Sequence, residues 1–172
     1  MVRIDQWENL LSQHINGVPV PTMVDAVRAA LIDFCNSTWC DSDILEGIQV
    51  DPLLAEWPVP APQGKFPVAV LTAWIDGEEI KPKTATDLHE KYSGEWFSQR
   101  VAAAKQIFGF NCRRPGLIRL VPHLSVAKSA ILEVAFQPRQ NAVEVENFLY
   151  EIHGEAISYG ALARLHSHIN AP

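Results

Sequence analysis

Histidines, carboxylates and thiols are where chemistry would start in this chain, and their spacing argues against it. His166 and His168 stand two apart in His-Ser-His. Residues i and i+2 of a helix do not share a face, so the pair suits a helix end better than a metal ion. Imidazoles at a helix C-terminus also complement its dipole. No cysteine or acidic residue adjoins them. His153 and Glu155, in His-Gly-Glu, match no hydrolase or metal motif. Asp41 and Asp43, with Glu46 nearby, have the look of paired carboxylates, but no general-acid partner accompanies them, and a solvated loop is expected. Glu78-Glu79 follows a turn signal and is expected to face solvent.

The three cysteines, Cys35, Cys40 and Cys112, are too few and too odd in number for a disulfide framework. The five-residue step from Cys35 to Cys40 is not that of a zinc knuckle. Cys35 lies beside Phe34 on an apolar helix face, so a Cys–His dyad is not expected there. Buried or half-buried thiols in a reducing compartment are expected instead. The chain has no Walker A, G-x-G-x-x-G, G-x-S-x-G or H-E-x-x-H pattern. The expectation is therefore no catalytic residues, no cofactor and no metal, in a protein that is not an enzyme. Trp39, Trp57, Trp74 and Trp96 are scattered through different segments, which suits core and interface packing better than stacking on bases or sugars.

Fourteen basic against twenty acidic residues leave a net charge of −6. A protein that grips nucleic acid carries a basic patch. Here the densest cluster is Arg113-Arg114 with Arg119 nearby, more suited to keeping a surface soluble. The segment from Met1 to Gln6 has no apolar core of signal-peptide length. No run approaches the roughly 18 apolar residues of a membrane span. A protein made and used in the cytoplasm, without a membrane partner, is expected.

The elements that must hold these residues are legible from periodicity and breakers. Residues 5–15 carry Trp7, Leu10, Leu11 and Ile15 at helical spacing. Residues 22–37 place Met23, Val24, Val27, Leu31 and Phe34 on one face, with Thr22 and Asp25 as a capping-box-like start. Residues 57–62 are too rich in proline for a helix or a central strand. Residues 66–75 read as a strand, Asp76-Gly77 as a hairpin turn and 78–81 as the return. A turn or two of helix is expected over 84–91, capped by Thr84 or Thr86. Further strands are expected at 106–111, 117–121 and 130–136. Residues 143–165 read as one helix of about 23 residues, with Val145, Phe148 or Leu149, Ile152, Ala156, Tyr159 and Ala163 on one face. Ala156, Gly160 and Ala163 form a small-residue strip suited to close helix approach, with Ala26 and Ala30 of the first long helix as its counterparts.

These elements predict an α+β chain forming one unit over residues 1–172. In it, N- and C-terminal helices (about 1–40 and 142–168) build a helical bundle. An antiparallel β-sheet or small β-sandwich (about 41–141) is inserted between them.

The order of segments then carries a resemblance. Residues 25–35, Asp-Ala-Val-Arg-Ala-Ala-Leu-Ile-Asp-Phe-Cys, are followed by Ser37-Thr38-Trp39, the Trp74-Ile75-Asp76-Gly77 hairpin, Leu120-Val121-Pro122 and Phe136-Gln137-Pro138. Glu155-Ala156-Ile157-Ser158-Tyr159-Gly160-Ala161-Leu162-Ala163-Arg164-Leu165 comes last. From about Val20 to Leu165 the chain resembles the head–tail adaptor (connector) proteins of tailed bacteriophages. The resemblance implies a homo-oligomeric ring, usually of twelve copies, at the head–tail junction of the virion. It implies contact with the portal protein above and with tail or nozzle proteins below, and DNA passing through without specific binding. Chains of this kind are expected to carry more helix after Leu165, whereas this one stops at Pro172. Asp76, Gly77 and Glu78 at the hairpin tip, and Arg113 and Arg114 in the loop after Asn111, are the expected subunit or ring contacts. A tail-terminator or tail-tube protein is the alternative within the virion.

Overall fold

Eleven strands in four sheets dominate the described residues, so the expected helical bundle is not what forms. The α+β character holds, but the weight lies with the strands. The computed structural model describes residues 1–92, 98–114 and 116–169, without the side chains of Arg113, His168 and Ile169. Trp96 and Pro115 lie outside the described residues. No helix among those described is long and apolar enough to cross a membrane.

In chain order the first elements are β1 (Val2–Arg3), a 3-10 turn (Ile4–Trp7), α1 (Glu8–Leu11) and α2 (Val20–Thr38). Next come β2 (Ser42–Val50), β3 (Trp57–Pro58), β4 (Lys65–Ile75), β5 (Glu78–Ile80) and α3 (Ala85–Tyr92). After them follow β6 (Arg100–Val101), a 3-10 turn (Ala104–Gln106), β7 (Gly109–Arg114), β8 (Leu117–Val121) and β9 (His123–Leu124). The last are β10 (Lys128–Pro138), β11 (Glu144–Val145), α4 (Asn147–Glu151) and α5 (Gly154–Ile169). The chain gathers into two compact units: Met1–Thr38 with Pro62–Phe66 and Gln137–Pro172, and Trp39–Ala61 with Pro67–Phe136.

In the first unit α2 buries Met23, Val27, Ala30, Leu31 and Cys35, an i, i+4, i+7 stripe of the kind that faces a core. Its start lies earlier than the Thr22–Asp25 pattern implies. The helix begins at Val20, the Met23 N–H donates to the Pro19 carbonyl at 3.2 Å, and Pro21 is tolerated in the first turn. Asp25 pairs instead with Arg28, at 2.5 Å. The long C-terminal helix also resolves differently. β11 and α4 occupy its first third, a turn at Ile152 and His153 interrupts it, and α5 starts at Gly154. The Trp7 indole donates to the Gly154 carbonyl at 3.2 Å, and a Cβ there would lie 3.9 Å from Leu10, Trp7 and Tyr150. The face that turns inward is Ile157, Ala161, Leu162 and Leu165, whereas Ile152, Ala156, Tyr159 and Ala163 of the expected face are exposed. β1 and β11 pair antiparallel.

In the second unit a four-stranded sheet runs β2-β10-β4-β5 and a three-stranded one β3-β8-β7. β6 and β9 form a short parallel pair. The proline-rich segment supplies only the two-residue edge strand β3, as its missing N–H groups require. Along β10 the alternate residues Ala130, Leu132, Val134 and Phe136 are buried with Trp57, Phe110, Ile118 and Leu120. β4 and β5 pair through Ile75 and Glu78, and the turn between them takes positive φ at Asp76 (52°) and Gly77 (78°). That geometry matches the right-handed twist of the strands. Thr84 caps α3 reciprocally. Its N–H and Oγ1 donate to Asp87 Oδ2 at 2.9 and 2.8 Å, and Asp87 N–H donates back to Oγ1 at 3.2 Å. These bonds hold the Asp87 carboxyl below its ordinary range.

Residues 81–83 lie tightly on β7. The Lys83 N–H donates to the Phe110 carbonyl at 2.8 Å, and the Phe110 N–H to that of Lys81 at 3.1 Å. A Cβ on Gly109 would fall 2.7 Å from the Lys81 carbonyl oxygen and 2.3 Å from Lys83 Cγ. The lysine side chain can move, but the carbonyl cannot without losing the Phe110 bond. Gly109→Ala is expected to destabilise the protein by about 1–3 kcal/mol, read as a lowered urea midpoint with an unchanged slope.

Candidate functional site

The residues that first suggested chemistry do not converge. Among the described residues no group of three His, Cys, Asp or Glu side chains is placed to hold a metal ion. Cys35 is buried and Cys40 partly so, while Cys112 is exposed, against the expectation of covered thiols. Asp41 does not sit in a solvated loop. It is buried at the entry to β2, where its carbonyl accepts the Phe136 N–H at 2.7 Å. Asp43 is exposed on that strand and accepts the Ile44 N–H at 2.8 Å. His153 packs against Phe34 and Phe148, with centroids 5.0 and 6.1 Å away, so it serves the packing of its unit. His166 is exposed near the end of α5, and the His168 side chain lies outside the described residues.

The helix residues singled out for packing are mostly brought together. Ala30, Ala156, Gly160 and Ala163 line one open groove of about 530 Å³ on the α2–α5 pair, which Ala26 does not reach. Ala30 is buried beneath it, while Ala156, Gly160 and Ala163 face solvent. Arg164 and Asp33 close an ion pair across the two helices. At the hairpin, Asp76 meets Lys128 at 2.7 Å and Glu78 meets Lys105 at 3.4 Å. Both acids are therefore neutralised locally by exposed or half-exposed pairs, which add little stability. Arg113 and Arg114 belong to strand β7 rather than to a loop. Arg114 is exposed there, and the Arg113 side chain lies outside the described residues.

Two features had no clear signal in the sequence. One is His123, 8% exposed, whose ring nitrogens both lack a hydrogen-bond partner among the described residues. Burial pushes its imidazole below the ordinary value, and the charges of Arg100 and Arg119 push it the same way. In the sequence it lies beyond the expected strand 117–121 and its terminating Pro122, with nothing to mark it as buried. The other is a cleft of about 510 Å³ between α1 and the α4–α5 segment. It joins residues some 140 positions apart in the chain, Leu10 and His14 with Tyr150, Glu151, Glu155 and Tyr159. No local pattern marks such a juxtaposition. No model of a known protein family matches this chain, and no curated protein sequence matches it.

Gly160 has one neighbour for an added methyl, Ala30 Cβ at 3.4 Å, an ordinary contact. Glycine in a helix interior costs about 1 kcal/mol relative to alanine. Gly160→Ala is expected to leave stability unchanged or raise it by up to about 1 kcal/mol in thermal melts. His123 gives the opposite kind of expectation. Its folded-state value is depressed from 6.5, so its contribution is complete above that pH and is lost as pH falls below it. The urea midpoint should decline as pH falls below about 6.5, and His123→Leu should flatten that part of the decline.

Proposed function

We propose that this chain is a non-enzymatic virion protein, a ring-forming adaptor that joins the portal of a phage capsid to the tail and lets DNA pass. The observation that carries the proposal is the ordered resemblance of residues 25–39 and 155–165, with the hairpin and Pro-terminated strand between them, to head–tail adaptor proteins. Those two segments are the ones that pack together as α2 and α5. Their outer surface is lined by small side chains, which let a neighbouring backbone approach closely. The net charge of −6 suits a passage along which DNA slides, because like charges discourage adhesion. In this role the portal protein, the tail or nozzle proteins and further copies of the chain are the partners. No cofactor or metal is required.

Electron microscopy of the protein mixed with its neighbouring portal and tail proteins tests this. A ring, expected to hold twelve copies, should sit directly beneath the portal. A ring of another symmetry on the tail tube would replace the adaptor role with that of a tail terminator or tube protein. Absence of any ring with either neighbour would remove the proposal.

A further inference from the structure

The cleft between α1 and the α4–α5 segment combines an apolar floor with a rim on which exposed Gln13 and His14 stand across from two glutamates. Leu10, Tyr150 and Leu162 form the floor, with Gly154 between them. Tyr150 is held in place edge-on to the buried Trp7, with ring centroids 4.7 Å apart. Ser158 donates to the Gly154 carbonyl at 2.7 Å, so its hydroxyl is already used within α5. Glu151 and Glu155 stand on the rim, both exposed, and the lining contains no lysine or arginine. Among the described residues neither glutamate takes part in an ion pair. Glu155 accepts the Tyr159 hydroxyl, at 3.2 Å.

The fold gives little reason for this charge. Glu155 in the first turn of α5 suits the helix dipole, but Glu151 ends α4, where a carboxylate is the unfavourable sign. The two acids also face one cleft and repel each other. Tyr159 stands beside them with 57% of its surface exposed, its ring tilted towards that of His14 with centroids 6.5 Å apart. Two carboxylates, a tyrosine face and an apolar floor are what the head and stem of an arginine or lysine fill together. The head meets the acids and the ring, and the aliphatic stem covers the leucines. About 510 Å³ accommodates one or two side chains rather than a whole helix.

We infer that this cleft is a docking site for a basic amphipathic segment of a partner protein, one that inserts an arginine or lysine beside an apolar residue. A second copy of this chain, with twenty acidic against fourteen basic residues, is the poorer source of such a basic segment for this cleft. The inference stands on the cleft alone and does not depend on the adaptor role.

The test is a titration of the isotopically labelled full chain with a synthetic helical peptide carrying Arg and Leu three and four residues apart. Amide shifts are expected at Leu10, His14 and residues 150–162. Affinity should fall at least about tenfold in Glu151→Lys/Glu155→Lys, for a peptide with Glu in place of Arg, and in high salt. Glu90→Lys, an exposed change on α3, should leave it unaltered. Glu151→Gln/Glu155→Gln, which only removes charge, should weaken binding in the same direction and serves if the lysine variant misfolds. The inference is overturned if those residues do not shift at the highest soluble peptide concentration. It is equally overturned if the acidic peptide binds as well, or if binding survives loss of both carboxylates.

Discussion

Trp7 has no exposed surface, and its indole N–H donates to the carbonyl of Gly154, 147 residues further along the chain. A buried indole without an acceptor would cost roughly 1–3 kcal/mol, so this bond fixes where the start of α5 must sit. Tyr150 closes edge-on against the same ring. Much of the first unit follows from that contact. Ile4 and Leu11 are buried on either side of Trp7, and the Ile4 N–H donates to the Val143 carbonyl at 3.0 Å. The strand pair β1–β11 continues the same attachment of the first residues to the last part of the chain. Arg28 adds a further tie, donating from Nε to the Ala142 carbonyl at 3.2 Å.

Where the sequence spoke clearly, local chemistry was decisive. The strand Leu117–Val121 is bounded by Gly116 at φ 76° and by Pro122, and it forms with those limits. The Asp76-Gly77 hairpin forms because only residues tolerant of positive φ fit the turn. Thr84 caps α3 because Asp87 stands three residues on to reciprocate. The same pattern at Thr22 and Asp25 failed, since Val20 and Pro21 already extend the helix and Arg28 takes the carboxylate. The two-residue strands β1, β3, β6, β9 and β11 were not legible at all. They are too short for any alternation, and long-range partners alone define them. That is why the helices were given too much weight in the expected architecture.

The last helix shows why periodicity could locate an element without orienting it. Residues 154–165 carry apolar side chains on more than one stripe: Ile157, Ala161 and Leu165 on one, Ala156, Tyr159 and Ala163 on another. Both have helical spacing, so the sequence does not say which turns inward. Volume decides it. The leucine and isoleucine of the first stripe bury more area against α2 than alanines can, at about 25 cal/mol per Å². The Trp7 bond to the Gly154 carbonyl then anchors the start of α5 directly after the turn at Ile152 and His153.

That choice leaves α5 with two outer faces that a helix selected only for folding would fill with charged residues. One face is the small-residue groove, and the other is the acidic cleft with Tyr159 at its edge. Scattered apolar side chains on a surface mean little, but here they are contiguous with shaped hollows. The two hollows also differ in kind. The groove is bridged by Arg164 and Asp33, so its charges are already matched within the chain. Among the described residues the cleft's two glutamates have no ion-pair partner, so a basic side chain from a partner would complement them. A shared helix with one self-satisfied face and one unsatisfied face therefore presents two surfaces of unlike chemistry. It is the unsatisfied one whose occupant the charge identifies.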